Sequence, residues 1–252
     1  MEYTFSLKDV CSEHINLNYA TFFLHTGELW EVSLHMNAII FGAPGSGKGT
    51  YSAMLKETLG FEVISMGDIF RVMMMENSIL GRIIKSYVEA GLLVPDIIVT
   101  EVLKEAIAHG PKGKGFILDG YPRTLAQAEA LEKIAKIDVV MQLVVPDWII
   151  IERLSSRRIC RDCGQVYNLR FMKPKVEDIC DKCGGPLYQR SDDNPGVIKM
   201  RLDLYEKETG ALLRFYEGKN VPLIKHTTHS LEMPPENVVK YIVSELKKLT
   251  LV

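Results

Sequence analysis

The sequence predicts an α/β fold built on a parallel sheet flanked by helices, and three observations carry that prediction. Short apolar runs alternate with helix-period segments from Met36 to about Arg158, the pattern of a sheet covered on both faces. A glycine-rich run, Gly42 to Thr50 (GAPGSGKGT), follows the apolar stretch Ala38-Ile39-Ile40-Phe41. Beyond Arg158 the alternation gives way to a turn-rich segment with two CxxC pairs, before helical periodicity resumes near Val197.

The elements follow in order. A strand over 37–41 delivers the chain into the glycine-rich turn and a helix running from near Lys48 to about Leu59. Phe61–Ser65 reads as a second short strand, and 68–90 as helical with a break around Ser78 and Gly81. A helix over 96–109 is expected to carry an apolar face at Ile97, Val102, Leu103 and Ile107. Gly115–Asp119 reads as a buried strand, Leu125–Ile134 as a helix, Val139–Val144 as a strand and Asp147–Arg158 as a helix. After the cysteines, Val197–Tyr216 is helical, Val221–Lys225 a strand, and Pro235 to about Leu249 a closing helix.

Residues 1–35 show no clear period or cap signal. Cys11 and His14 stand three apart there, as a metal pair can, but an appended segment without chemical role, packing poorly on the rest, is the expectation. The functional chain then starts at Met36, directly before the strand that the glycine-rich turn requires.

Composition narrows the class. An apolar fraction of 47% is ample for a folded core, and a net charge of -2 gives no global argument for nucleic acid or an anionic membrane. No apolar run approaches the ~20 residues that span a bilayer. Glu2, Asp9 and the lack of an apolar leader argue against secretion, so a cytoplasmic protein is expected.

The run Gly42–Thr50 is a phosphate loop. Backbone N–H groups of such a turn point inward as an anion nest, and the following helix adds its unpaired N-terminal donors. Gly45, Ser46, Gly47, Lys48, Gly49 and Thr50 are therefore candidates to bind a nucleoside triphosphate, with the Lys48 ammonium reaching the outer phosphates. Gly49 stands where the plain pattern has a hydroxyl residue and Thr50 comes one later, so a direct protein ligand to Mg²⁺ is not assured.

Asp119 ends a buried strand at the carboxyl edge of the sheet, where open α/β folds bind ligands. There it suits Mg²⁺ held through water. Arg123 follows Pro122, and its planar fork suits bidentate contact with phosphate oxygens. Further arginines have no obvious carboxylate partner in sequence: Arg71, Arg153 and Arg157 four apart on one predicted helical face, and Arg190 and Arg201 around Asp192-Asp193. Such a supply suggests a cleft that handles many phosphate charges, and an acceptor that is itself an ionised phosphate needs no general base.

Cys160-x₂-Cys163 and Cys180-x₂-Cys183 each continue into glycine, as in knuckle turns where the glycine lets backbone N–H groups turn toward sulfur. Four thiolates at this spacing fit a closed tetrahedral structural site, most simply Zn²⁺. The segment Ile159–Tyr188 has few apolar residues to bury, so metal would supply much of its folding energy. A zinc ribbon for nucleic acid is the other reading, which Asp162, Glu177, Asp178 and Asp181 disfavour. A partner-coupled phosphate-loop ATPase is a further alternative.

Together these motifs closely resemble the adenylate kinase family of the long-lid type, over about residues 36–252. The resemblance rests on the phosphate loop, Gly67-Asp68 with Arg71, the GFILDGYPRT stretch with Gln127, Arg153 with Arg157, the cysteine lid, and Arg190 with Arg201. It implies reversible Mg²⁺-dependent transfer of the terminal phosphoryl group of ATP to AMP, giving two ADP, by a cytoplasmic monomer with no nucleic-acid or membrane partner. A relative with GTP as donor or another acceptor base is the alternative within the class. The implied architecture is a core of 36–64, 95–155 and 194–252, two mobile inserts at 65–94 (monophosphate binding) and 156–193 (zinc lid), and an N-terminal extension, 1–35. By the same resemblance Lys48, Arg123, Arg157, Arg190, Arg201 and Asp119 are catalytic, and Arg153 stacks on the ATP adenine. Met66, Arg71, Gly120, Arg123, Gln127, Arg190 and Arg201 hold AMP, with Gln127 meeting the base, and Asp192 is a candidate acid either behind the residues that touch substrate or closing the lid. Many members have Thr where this chain has Met66, whose thioether packs on a purine but donates no hydrogen bond.

Overall fold

The computed structural model describes residues 20–23, 29–32, 35–76, 78–110 and 115–252. The chain divides into two units, Met1–Leu34 and His35–Val252. In the first, β1 (Ala20–Phe23) pairs antiparallel with β2 (Leu29–Val32), with Ala20 opposite Val32. These two strands stand where residues 1–35 carry no clear period or cap signal. Cys11 and His14 lie outside the described residues, as does the packing expected of the extension.

The second unit begins with β3 (Met36–Gly42), every residue of which is buried. Then come α1 (Lys48–Leu59), β4 (Glu62–Ser65), α2 (Met66–Met75), α3 (Ile79–Glu89) and α4 (Asp96–His109). Next are β5 (Gly115–Asp119), α5 (Leu125–Glu132), β6 (Val139–Val144) and α6 (Asp147–Ser155). The cysteine segment supplies β7 (Arg157–Cys160), β8 (Val166–Asn168) and β9 (Leu187–Tyr188). A 3₁₀ turn at Ser191–Asp193, α7 (Pro195–Gly218), β10 (Leu223–Thr227) and α8 (Pro235–Lys248) complete the chain.

Five strands form the predicted parallel sheet, in the order β10-β6-β3-β5-β4. Central β3 and β5 have no exposed face, so their runs read as continuous apolar sequence. Ile39, Phe41, Phe116 and Leu118 point into one core layer with α2–α5 and α7, while Ala38, Ile40 and Ile117 point into the other with α1 and α8. The carboxyl ends of adjacent β3 and β5 carry the phosphate loop and Asp119 to one edge of the sheet.

Two expectations are corrected. The helix after β6 stops at Ser155, three residues short of Arg158. Ser155 Oγ donates to the Ile151 carbonyl at 2.8 Å and Ser156 Oγ to that of Glu152 at 2.5 Å, bonding back on the last turn. Arg157 consequently belongs to β7 and shares no helical face with Arg153. In α4 the inward residues are Val99 and Leu103, with Val102 and Ile107 partly buried against the core, whereas Ile97 is 75% exposed. Two residues along a helix is about 200° of rotation, so Val99 facing in turns Ile97 out.

The knuckles turn backbone N–H groups toward sulfur, as expected. The Gly164 and Gly184 N–H groups donate to the carbonyls of Cys160 and Cys180, at 3.2 and 2.9 Å, rather than to sulfur. The N–H groups of Lys182 and Cys183 serve the Cys180 sulfur, and that of Gly185 the Cys183 sulfur. The cysteine segment folds around β8-β7-β9, an antiparallel sheet with a small core of Cys160, Tyr167, Cys180 and Leu187.

Candidate active site

The phosphate loop is built by two close approaches. Gly45 has φ +80°, and a Cβ there would lie 2.7 Å from Leu154 of α6; Gly47 has φ +99°, and its Cβ would lie 2.8 Å from the Tyr51 ring. Both positions exclude a side chain by conformation and by space. The turn closes with the Ser46 N–H donating to the Ala43 carbonyl at 3.0 Å, and α1 starts at Lys48 with Gly49 and Thr50 in its first turn. Arg153, reaching across from α6, donates to the Ser46 carbonyl at 3.3 Å.

Lys48 folds back into this loop. Its Nζ donates to the carbonyls of Gly42 and Ala43 at 2.6 and 3.0 Å. Burial pulls its pKa down to about 8, partly offset by Asp119 and reinforced by the charges of Arg123, Arg201 and Arg157. Asp119 faces the loop: a Cβ on Gly49 would sit 3.7 Å from its Oδ2. Burial raises the Asp119 pKa against the pull of Lys48 and Arg123, and the nearby Asp68 carboxylate raises it further.

The arginines gather here, and several find carboxylate partners that were not obvious in sequence. Arg157 grips Asp193 through two bonds, Nε to Oδ2 at 2.8 Å and Nη2 to Oδ1 at 2.5 Å. Arg201 Nη1 donates to Asp192 Oδ2 at 2.7 Å, and Arg71 pairs with Asp68. Arg123 Nε donates to the Gly120 carbonyl at 3.0 Å, and burial beside Arg201 pulls its guanidinium pKa down. Arg190 has a buried Nε without a partner among the described residues, and burial with the charges of Arg157 and Arg71 brings its pKa down to about 10. Cations from both predicted inserts and the core thus crowd one cleft with too few acids to neutralise them, a field that an anionic polyphosphate would relieve. A cavity between the loop and α7 is lined by Lys48, Leu93, Tyr121, Arg123, Arg201 and Leu204, and a wider groove reaches Gly49, Asp68 and Asp119.

Two predicted acceptor residues sit deeper than their roles imply. Met66 is 1% exposed and packs with Phe70 and Ile84. Gln127 is 2% exposed; its Oε1 accepts from the Arg123 N–H at 2.7 Å and its Nε2 donates to Asp96 Oδ1 at 2.7 Å. Sequence reasoning missed Asp68 as a neighbour of Asp119, Asp193 as the partner of Arg157, and Asp96. The adjacent Asp192-Asp193 pair was the one available signal for the second.

At the cysteine lid all four sulfurs lie within 4.8 Å of one another, with Cys160–Cys183 at 3.4 Å and Cys163–Cys180 at 3.5 Å. A disulfide needs ~2.05 Å, so these thiols are free. Tetrahedral Zn²⁺ with ~2.3 Å bonds sets its sulfurs ~3.8 Å apart, which this cluster fits. Tyr167 completes the shell: its hydroxyl accepts from the Asp181 N–H at 2.7 Å, leaving its proton for the Cys180 sulfur 3.4 Å away.

A parallel sheet with a phosphate loop, an arginine-rich cleft and a four-thiolate lid defines a nucleotide phosphotransferase of the lidded kind. The family model described as adenylate kinase matches residues 40–221. An adenylate kinase of Caldicellulosiruptor saccharolyticus is 47% identical over 191 residues, covering 74% of this chain and 89% of its own. That of Caldicellulosiruptor bescii is 41% identical over 210 residues, covering 81% and 98%, and that of Methanocella arvoryzae is 46% identical over 191 residues, covering 74% and 88%. The chain belongs to the adenylate kinase family.

Proposed function

We infer that the chain catalyses reversible transfer of the terminal phosphoryl group of ATP to AMP, giving two ADP, as its family does. The observation that carries the reading is the convergence of Lys48, Arg71, Arg123, Arg157, Arg190 and Arg201 on one cleft beside the phosphate loop. An oxygen of the ionised AMP phosphate attacks the γ-phosphorus while the bond to the β–γ bridging oxygen breaks, so no general base is required.

Residues 65–94 form the monophosphate-binding insert, 156–193 the lid, and 36–64, 95–155 and 194–252 the core. The loop amides of Gly45–Thr50 cradle the donor phosphates, and Lys48 leaves its carbonyl partners to bridge them. Arg123, Arg157, Arg190 and Arg201 neutralise charge on the transferring group, in a site from which the lid excludes water. Arg153 stacks on the donor adenine. Arg71, Arg123, Arg190 and Arg201 hold the AMP phosphate beside Gly120, Gln127 meets its base, and Met66 offers it only an apolar edge.

Asp119, facing Gly49 with Asp68 close by, fits a hydrated Mg²⁺ accompanying ATP, which when bound screens the phosphate charges. Cys160, Cys163, Cys180 and Cys183 hold one structural Zn²⁺. The enzyme works as a cytoplasmic monomer without nucleic-acid or membrane partners. Among the described residues no helix is long and apolar enough to cross a membrane. A coupled assay with ATP or GTP against AMP, CMP, UMP and GMP tests the reading. ADP formation fastest with ATP and AMP is expected; ATP hydrolysis indifferent to every monophosphate overturns it.

A further inference from the structure

Asp96 opens α4 directly after the N-cap Pro95, and its carboxylate is divided between two residues of the Arg123 region. Oδ1 accepts from Gln127 Nε2 at 2.7 Å and Oδ2 from Thr124 Oγ1 at 2.9 Å. Thr124 Oγ1 in turn accepts the Gln127 N–H at 3.2 Å, capping α5, while the Tyr121 hydroxyl donates to the Gln127 carbonyl at 2.9 Å. On the opposite side the Arg123 N–H donates to Gln127 Oε1 at 2.7 Å.

The chemistry of these partners determines which end of the carboxamide faces which neighbour. A backbone N–H can only donate and an ionised carboxylate can only accept, so oxygen must face Arg123 and nitrogen must face Asp96. Reversing the amide would set oxygen against carboxylate and NH₂ against N–H, in a side chain only 2% exposed. What Gln127 retains for a ligand is one N–H and one oxygen lone pair, in fixed order.

That order distinguishes purines. Adenine presents an acceptor at N1 beside a donor at N6; a 6-oxo purine presents a donor at N1 beside an acceptor at O6. An amide free to rotate meets either edge, whereas a locked amide meets one and leaves the other with opposed like groups. We propose that Asp96 is a specificity-determining positioning residue: by fixing the orientation of the Gln127 carboxamide it makes the acceptor site take a 6-amino purine monophosphate in preference to a 6-oxo one. This rests on the reading that Gln127 meets the acceptor base.

The test compares kcat/KM for AMP and for inosine monophosphate, with ATP as donor, in the full chain and in Asp96→Asn, Asp96→Ala and Gln127→Ala, with melting curves to establish folding. Asp96→Ala removes the acceptor and adds no donor; Asp96→Asn can keep its amide oxygen on Gln127 Nε2 while its NH₂ donates to the Thr124 hydroxyl, so it preserves the orientation of Gln127. Asp96→Ala is expected to lower the AMP-to-inosine monophosphate ratio about tenfold, chiefly through KM, and Asp96→Asn to retain most of it. An unchanged ratio in folded Asp96→Ala, or a loss of kcat with the ratio intact, overturns the inference while Gln127→Ala still raises KM for AMP. If Gln127→Ala keeps both the KM for AMP and the ratio, the underlying reading of Gln127 fails instead.

Discussion

Arg157, at the first residue of the lid strand β7, is clamped by both carboxylate oxygens of Asp193, in the turn where the chain leaves the lid. The two residues are 36 apart in sequence, and the Asp193 side chain has no solvent exposure. The pair fastens the two ends of the lid together and presents Arg157 to the cleft in a fixed direction. Removing one partner of a buried pair leaves the other desolvated and unpaired, at a cost of about 3–5 kcal/mol. Asp193→Ala is therefore expected to lower the melting temperature and to reduce kcat more than it changes the KM for ATP. Melting curves and steady-state kinetics check this; unaltered values for both would remove the clamp from the account.

Lys48→Met is expected to abolish most turnover while the fold persists. In its proposed role the ammonium contributes charge stabilisation where the phosphoryl group moves, an effect worth several kcal/mol, or roughly 10²–10³ in kcat. Among the described residues its bonds run only to two loop carbonyls, and its burial works against the charged form. Loss of the side chain thus costs the ligand-free fold little. Circular dichroism and the ADP-forming assay separate the two effects.

The same lysine makes nucleotide binding proton-linked. Its pKa lies near 8 in the free protein, against 10.5 for an unperturbed lysine, chiefly through burial. Between these values the unfolded chain binds more protons than the folded one, so this group raises stability with pH from about 8 to 10.5. Phosphate oxygens beside the ammonium push its pKa back up, so ATP binding near pH 8 to 9 takes up a proton. Titration calorimetry in buffers of different ionisation enthalpy is expected to show that uptake at pH 8.5 and little of it at pH 6.5. Equal apparent enthalpies across buffers at both pH values would contradict the linkage.

What the sequence revealed and what it concealed divide by range. The strand 37–41, the start of α1 at Lys48 and β5 at Gly115–Asp119 were legible because each is decided by neighbours: an apolar run, a glycine turn, a terminal acid. The partners of Arg157 and Gln127 were not, since Asp193 and Asp96 are brought to them only by the closed tertiary path. Ile97 was misjudged because the apolar residues of α4 outnumber one stripe, and propensity cannot say which of them the core claims. The end of α6 turned on serine hydroxyls bonding back, which periodicity does not register.

A chain starting at Met36 is expected to fold and turn over much as the full chain does. Among the described residues, those of the cleft and the lid and those of the cores that surround the sheet all lie at Met36 or beyond. Met36 is itself buried and is paired with Gly115 across β3 and β5, so a control starting at His35 keeps the new terminal charge off the sheet. Comparing melting temperatures and turnover of the three chains decides the matter. A large loss in both shortened forms would make residues 1–34 integral to the enzyme.

The lid predicts a metal that acts on structure and only indirectly on chemistry. Its own apolar core is four residues, two of them cysteines, which is too little to hold three short strands without the metal. All four ligand positions are thiolates, so the ion keeps no open place for water or substrate. Metal analysis of the reduced protein is expected to find one zinc per chain. Chelation or Cys163→Ser is expected to lower the melting temperature and loosen the strand that carries Arg157, raising the KM for ATP while residual transfer persists. Tyr167→Phe deletes the proton aimed at the Cys180 sulfur and leaves the ligands intact, so it is expected to weaken zinc retention against a chelator without abolishing turnover. Complete loss of transfer on zinc removal, with the core folded and nucleotides still bound, would place the metal in the chemistry itself. Zinc retention unchanged in Tyr167→Phe would reduce that hydroxyl to a cap on the Asp181 N–H.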